Sequence, residues 1–351
     1  MHAVPPPYSP SLAGLSPACF AMVMATGIVS LAAHLQGLDT IAWALFALNI
    51  GAWLVFCGLS LWRVARFPHR MRDDLGDHLR GPGFFTAVAG TAVLGSQFAT
   101  FDLSWPLATA MGVLAGALWL GLTYAVFTAL TIKDSKPALD KGINGGWLLA
   151  VVATQSLAVL GAVLAARAAQ PWKLELNFFA LSMWLWGGML YIWMISLIFY
   201  RYTFFAFAAG DLTPPYWINM GAMAISTLAG SLLIANAPDA PLLQALLPFV
   251  KGFTVLYWAT GTWWIPMLLV LAVWRYVYRR FPLRYDPLYW GAVFPLGMYS
   301  AATHEMTKAL GLGFLQAVAP AFFYAALVAW AATFIGLLRH LPRWHGTLRL
   351  D

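Results

Sequence analysis

Charge is what this chain has least of. Asp, Glu, Lys and Arg make up 9% of its 351 residues, against about 25% in an ordinary soluble domain. Apolar runs separated by short charged clusters continue to the last residues, so no stretch reads as a soluble domain. Cysteine is nearly missing as well. Cys19 and Cys57 both sit inside apolar runs, where a thiol behaves as a small buried hydrophobe, so no disulfide and no metal site is expected. Residues 1–16 hold no Lys or Arg, and no small-residue cleavage site follows a short apolar core, so a removable leader is not expected. The alternating segments of about ten residues that mark a transmembrane barrel do not occur. Nor do the apolar runs carry the converging His, Asp, Glu or Cys that an embedded enzyme needs. The stretch from His304 to Lys308, HEMTK, has Lys where a zinc peptidase motif has its second His. The chain is therefore read as no enzyme, with no cofactor.

Apolar residues fill the space that charge leaves. They make up 61% of the chain, and the mean hydropathy is +0.73. A membrane-spanning helix needs about 20 such residues. Ten runs meet that need: residues 17–35, 41–62, 83–100, 106–131, 145–166, 176–200, 216–235, 246–274, 288–306 and 316–338. The fold class is an all-α integral membrane protein: a segment 1–16, a ten-helix domain 17–338 and a tail 339–351. Pro248 and Pro266 fall in the eighth run, which is expected to begin with a turn or to bend. The net charge of +7 does not point to nucleic acid, because Lys and Arg cluster between the runs. Only Arg167, Lys173, Lys251 and Lys308 follow odd-numbered runs. By the positive-inside rule both termini and the loops after even-numbered runs face the cytoplasm.

The odd-numbered runs repeat a plan. Phe20-AMVMA-Thr26 and Phe85-TAVAG-Thr91 share one rhythm, and stretches beginning at Leu148, Ile218 and Gly291 follow it. Five such matches imply five helical hairpins. Odd runs carry the small and polar residues, among them Thr26, Gly27, Ser30, Thr91, Thr154 and Ser226, whereas even runs are rich in Leu, Trp, Phe and Tyr. Lipid-facing helices need the second composition, and helices that line a path or pack closely need the first. Five odd helices are thus expected inside and five even helices outside. Ordinary close packing without a path would produce the same residues. Aligning the repeats on those five starting residues gives a column Val23, Val88, Val151, Gly221 and Phe294. One large ring stands among smaller residues, followed by Pro295, which removes a helix hydrogen bond. If the column faces a path, Phe294 is its plug. Hydroxyls of Thr26, Ser30, Thr91, Thr154 and Ser226 are then expected to replace an ion's lost water, and Gly27 and Gly297 to let helices bend or approach. His34, His304 and Glu305 lie toward the non-cytoplasmic ends, as vestibule or pH-sensing groups or as plain headgroup-level residues.

FAMVMATGIVSLAAHL (Phe20 to Leu35), WGAVFPLGMYSAATHEM (Trp290 to Met306) and the ten-run plan resemble the tellurite-resistance/dicarboxylate transporter family. Its members include tellurite-resistance permeases, malic-acid transporters, sulfite exporters and plant slow anion channels. The resemblance covers nearly the whole chain. It implies a homotrimer in a bacterial-type inner membrane. Each protomer would hold a pore of five kinked helices around a quasi-fivefold axis, closed by a phenylalanine that falls at Phe294. The partners it implies are the bilayer and small anions, inorganic species or C4-dicarboxylates. The competing mechanism within this family is a proton-coupled dicarboxylate or sulfite carrier, which needs a titratable group on the path.

Overall fold

The computed structural model describes residues 11–345 apart from Arg284. Residues 1–10 and 346–351 lie outside the described residues, and with them most of the expected N-terminal segment and Arg349 of the tail. Among the described residues, ten helices have fifteen residues or more. They are α1 Ala21–Leu35, α2 Asp39–Arg66, α3 Phe85–Thr100, α4 Trp105–Ile132, α5 Leu149–Arg167, α6 Trp172–Phe204, α7 Ile218–Asn236, α8 Leu247–Val273, α9 Trp290–Leu310 and α10 Val318–His345. Each coincides with one apolar run. Eight are long and apolar enough to cross a membrane. The other two are α3, whose 16 residues make about 24 Å of helix, and α9, which carries Pro295, His304, Glu305 and Lys308.

The odd helices form a closed ring: α1 packs on α3, α3 on α5, α5 on α7, α7 on α9, and α9 returns to α1. Each even helix packs on the odd helix before it and also touches the next one, so α10 reaches α1. Composition explains the two layers. Ala, Gly, Ser and Thr let the inner backbones approach, and 89% of the apolar span of α5 and of α7 is buried inside the protein. The figure is 17% for α2, α4 and α10. Exposed Leu54, Val113, Trp193 and Val270 turn outward, as a lipid solvent requires.

Each inner helix is preceded by a 3-10 turn: Pro17–Phe20, Gly81–Phe84, Gly145–Leu148, Pro214–Trp217 and Pro287–Tyr289. Proline or glycine opens every one of them, which suits a first turn whose N–H groups have no helical partner. Successive turns pack on one another from the first to the fifth, so the five N-termini gather at one end.

The two layers are fastened by one repeated contact that sequence reading missed. An outer-helix indole donates to the next inner helix: Trp53 to Thr91 Oγ1 at 3.0 Å, Trp119 to Thr154 Oγ1 at 2.8 Å, Trp184 to the Ser226 carbonyl at 2.8 Å, Trp258 to Thr303 Oγ1 at 3.0 Å and Trp330 to Thr26 Oγ1 at 3.0 Å. The available signal was at least one tryptophan near the middle of every even run. The last contact joins α10 to α1 and closes the outer layer on the start of the chain. Trp330→Phe removes that hydrogen bond and leaves the Thr26 hydroxyl buried without it. The expected loss is about 1–2 kcal/mol of stability, read as a lower unfolding midpoint in detergent with the fold retained.

Candidate functional site

A small cavity lies at the centre of the ring. Its volume is about 20 Å³ and all five inner helices line it: Ile28 and Leu31, Val93 and Ser96, Ser156 and Val159, Ile225 and Leu228, and Met298. That is room for about one water molecule. Its two hydroxyls are turned back into their own helices, Ser96 Oγ donating to the Ala92 carbonyl at 3.0 Å and Ser156 Oγ to the Val152 carbonyl at 2.7 Å. No titratable side chain lines the cavity.

The lining sets the register of the repeat. Ile28, Val93, Ser156, Ile225 and Met298 form one layer, and Leu31, Ser96, Val159 and Leu228 lie three residues further on. This phase matches Phe20, Phe85 and Leu148 to Trp217 and Trp290, one residue before the Ile218 and Gly291 of the sequence alignment. One turn before the first layer, on the same helical face, stand Met24, Ala89, Val152, Gly221 and Phe294. All are buried, Phe294 with 1% exposure. Phe294 stays on this central stripe, but its companions change. Val23, Val88 and Val151 fall one residue off the stripe, and Val23 packs on Gly90 of α3, 3.3 Å from where a Cβ would stand. Among the described residues the Phe294 ring has no aromatic neighbour, unlike the clustered Phe46, Phe98 and Phe101.

Pro295 fills the space beside Gly221. A Cβ on Gly221 would stand 2.7 Å from Pro295 Cγ and 2.9 Å from its Cβ, so only glycine admits this contact. Gly221→Val is expected to push α7 and α9 apart and cost about 1–3 kcal/mol as an overpacked core; a midpoint equal to wild type in thermal unfolding would refute the contact. Gly27 has a similar role, since its Cβ would meet Val93 and the Asn49 amide at 2.5 and 2.8 Å. A Cβ on Gly297 would lie 3.1 Å from Ile28.

The hydroxyls expected on the path each have a hydrogen-bond partner within the protein. Thr26, Thr91 and Thr154 accept the outer indoles, Ser30 Oγ donates to the Ala42 carbonyl of α2 at 2.7 Å, and Ser226 Oγ donates to the Ala222 carbonyl at 2.8 Å. The physical reason is burial: each polar atom finds a partner near its own backbone or in the outer layer. His34 Nδ1 pairs with Asp39 Oδ1 at 2.7 Å, on a partly exposed surface. His304 and Glu305 lie half-buried on α9. Nearby outside the membrane-spanning segments, the Trp105 indole N–H and then Arg167, at 2.8 Å, hold the exposed Asp102 carboxyl below its usual range. No group of three or more His, Cys, Asp or Glu among the described residues could hold a metal ion.

A helical membrane protein whose inner helices ring a small central cavity defines a class of channels and transporters. The chain belongs to the SLAC1 family, voltage-dependent anion channels, which it matches over residues 14–338. An uncharacterized transporter of Methanocaldococcus jannaschii is 25% identical over 324 residues, 90% of this chain and 92% of that protein. The sulfite efflux pump of Trichophyton rubrum is 23% identical over 349 residues, 92% and 90% of the two chains. An uncharacterized membrane protein of Mycobacterium tuberculosis is 39% identical over 152 residues, 43% of this chain and 77% of that one. The family is one of anion channels, and the relatives from Methanocaldococcus jannaschii and Trichophyton rubrum are a transporter and a sulfite efflux pump.

Proposed function

We propose that this protein is a gated anion channel, conducting small inorganic anions or C4-dicarboxylates through the ring of inner helices and closed at Phe294. The observation that carries the reading is the closed five-helix ring with a single buried aromatic ring on its central stripe. In this reading all ten helices cross the membrane, including α3 and α9, as five hairpins about a quasi-fivefold axis. Both termini are cytoplasmic, and the membrane is a bacterial-type inner membrane. The five gathered N-termini then form the cytoplasmic mouth. Each helix N-terminus carries about half a positive charge, so five of them draw anions without a fixed cationic ring, and weak contact lets an ion leave as readily as it enters. The 20 Å³ cavity corresponds to the closed state. Homotrimer assembly comes with the family resemblance and is proposed with it, to be checked by the mass of the purified complex.

A proton-coupled carrier requires a titratable group on the path. The cavity lining has none, and His34, His304 and Glu305 lie beyond it, which favours a channel. The test is anion flux into proteoliposomes with chloride, nitrate, sulfite and malate, each with and without a pH gradient. Flux down the anion gradient that ignores the pH gradient supports the channel. Uptake that occurs only with a pH gradient refutes it.

A further inference from the structure

Three outer helices end on arginines buried at the level of the 3-10 turns: Arg63 with 3%, Arg201 with 6% and Arg275 with 7% exposure. The first two are answered. Arg63 meets Asp74 at 2.6 Å. Arg201 donates to the Asp140 carbonyl at 2.8 Å and to the Tyr216 hydroxyl, and lies 3.8 Å from Asp211. Arg275 stands in the same local plan as Arg201. Both begin an Arg-Tyr pair, both have a phenylalanine six residues on (Phe207 and Phe281), and both lead through an aspartate to Pro-x-Tyr-Trp. Each guanidinium lies over its phenylalanine, at 4.9 Å for Arg201 and 4.2 Å for Arg275.

The second copy then departs from the first. The Tyr289 hydroxyl, counterpart of Tyr216, bonds the Tyr276 hydroxyl at 2.8 Å instead of the arginine. Asp286, counterpart of Asp211, uses Oδ1 to cap the Leu288 N–H at 2.8 Å; it lies close enough to feel the charge of Arg275 but, among the described residues, makes no ion-pair contact with it. Arg275 Nε is buried with no hydrogen-bond partner. Phe281 and Tyr276, at 4.2 and 5.1 Å, wall the guanidinium. A charge this buried is costly without a counter-charge, and a guanidinium presents a planar fork of donors that suits the paired oxygens of an oxyanion.

We propose that Arg275, between the end of α8 and the 3-10 turn that opens α9, is a binding site for a phosphate-type oxyanion. The oxyanion is either free phosphate or the phosphodiester of an anionic lipid headgroup. Val277, Tyr278 and Leu283, which follow Arg275 in the chain, are exposed, so the segment that carries it reaches the surface of the protein. Occupancy supplies the direct oxygen contact that Asp286 does not make. The proposal concerns binding and is tested without transport, so it stands or falls apart from the conduction reading.

The test is thermal unfolding of the purified full chain in neutral detergent, with sodium phosphate or sodium chloride at matched ionic strength. A second arm compares nanodiscs of phosphatidylcholine with nanodiscs containing phosphatidylglycerol, with and without phosphate. Wild type is expected to gain midpoint with phosphate beyond chloride, or with phosphatidylglycerol beyond phosphatidylcholine. Arg275→Gln is expected to lose that gain, and Arg279→Gln to keep it. A gain from phosphate that persists in phosphatidylglycerol discs identifies the free ion. A gain from phosphatidylglycerol that leaves no further phosphate effect identifies the headgroup. If Arg275→Gln does not fold, Arg275→Lys keeps the charge without the fork and is expected to require higher phosphate for the same shift. No gain in either arm, an undiminished gain in Arg275→Gln, or equal phosphate dependence in Arg275→Lys overturns the site.

Discussion

Proteoliposomes carrying Phe294→Ala are expected to pass chloride and nitrate more than about tenfold faster than those carrying wild type. The size follows from what the ring does. Phe294 is buried to 1% exposure, and its counterparts on the central stripe are Met24, Ala89, Val152 and Gly221, so no other side chain at that level has its bulk. In the proposed reading an anion passes only by displacing it, and a barrier lowered by about 1.4 kcal/mol already gives a tenfold faster rate. Removing a buried Phe forfeits about 3–5 kcal/mol of packing, so displacing it from its seat costs more than that single step. The next layer, Ile28, Val93, Ser156, Ile225 and Met298, is narrow but aliphatic and has no ring to move. Phe294→Leu is expected to give an intermediate rate, because it shortens the plug without emptying its seat. Melting curves separate an opened path from a collapsed fold. A folded Phe294→Ala protein with wild-type flux in every anion would remove Phe294 from the gate.

The helices and their division into layers could be read from the sequence because lipid enforces composition. A helix such as α6, with Trp186, Ile192, Trp193 and Phe199 facing out, must be apolar, and the helices it shields need not be. Phase could not be read in the same way. Inner helices are buried on every side, so no polar face marks which residues look inward. A slip of one residue rotates a helical position by about 100°, and that slip separates Val151 from Val152. The partners of the Thr26, Thr91 and Thr154 hydroxyls could not be read for a related reason. Composition tells where a polar group occurs, but its direction depends on indoles 304, 38 and 35 residues away.

Asp74→Ala is expected to destabilise the protein by about 3–5 kcal/mol, the cost of stripping one partner from a buried ion pair. Asp74 sits on the short helix Pro68–Leu75 and meets Arg63 at 2.6 Å and Arg80 at 2.6 Å, with side-chain exposures of 11%, 3% and 34%. Without it Arg63 keeps the Ala13 carbonyl at 3.0 Å but loses its counter-charge, and two cations face each other. The knot also fixes geometry. Arg63 reaches Ala13 and Arg80 reaches the Leu15 carbonyl at 3.4 Å, so the segment before α1 is tied to the loop before α3, where the turns Pro17–Phe20 and Gly81–Phe84 pack together. Arg80→Gln is expected to cost far less, because its partly exposed pair is screened by water. Asp74→Leu combined with Arg63→Met should recover most of the loss, since a buried pair replaced on both sides by apolar groups is often neutral. That recovery, measured as a double-mutant cycle in chemical unfolding, separates a charge effect from damage to the helix. A loss below about 1 kcal/mol in Asp74→Ala would mean that solvent already reaches Arg63. The junction between the first two turns would then be held by their packing more than by the ion pair.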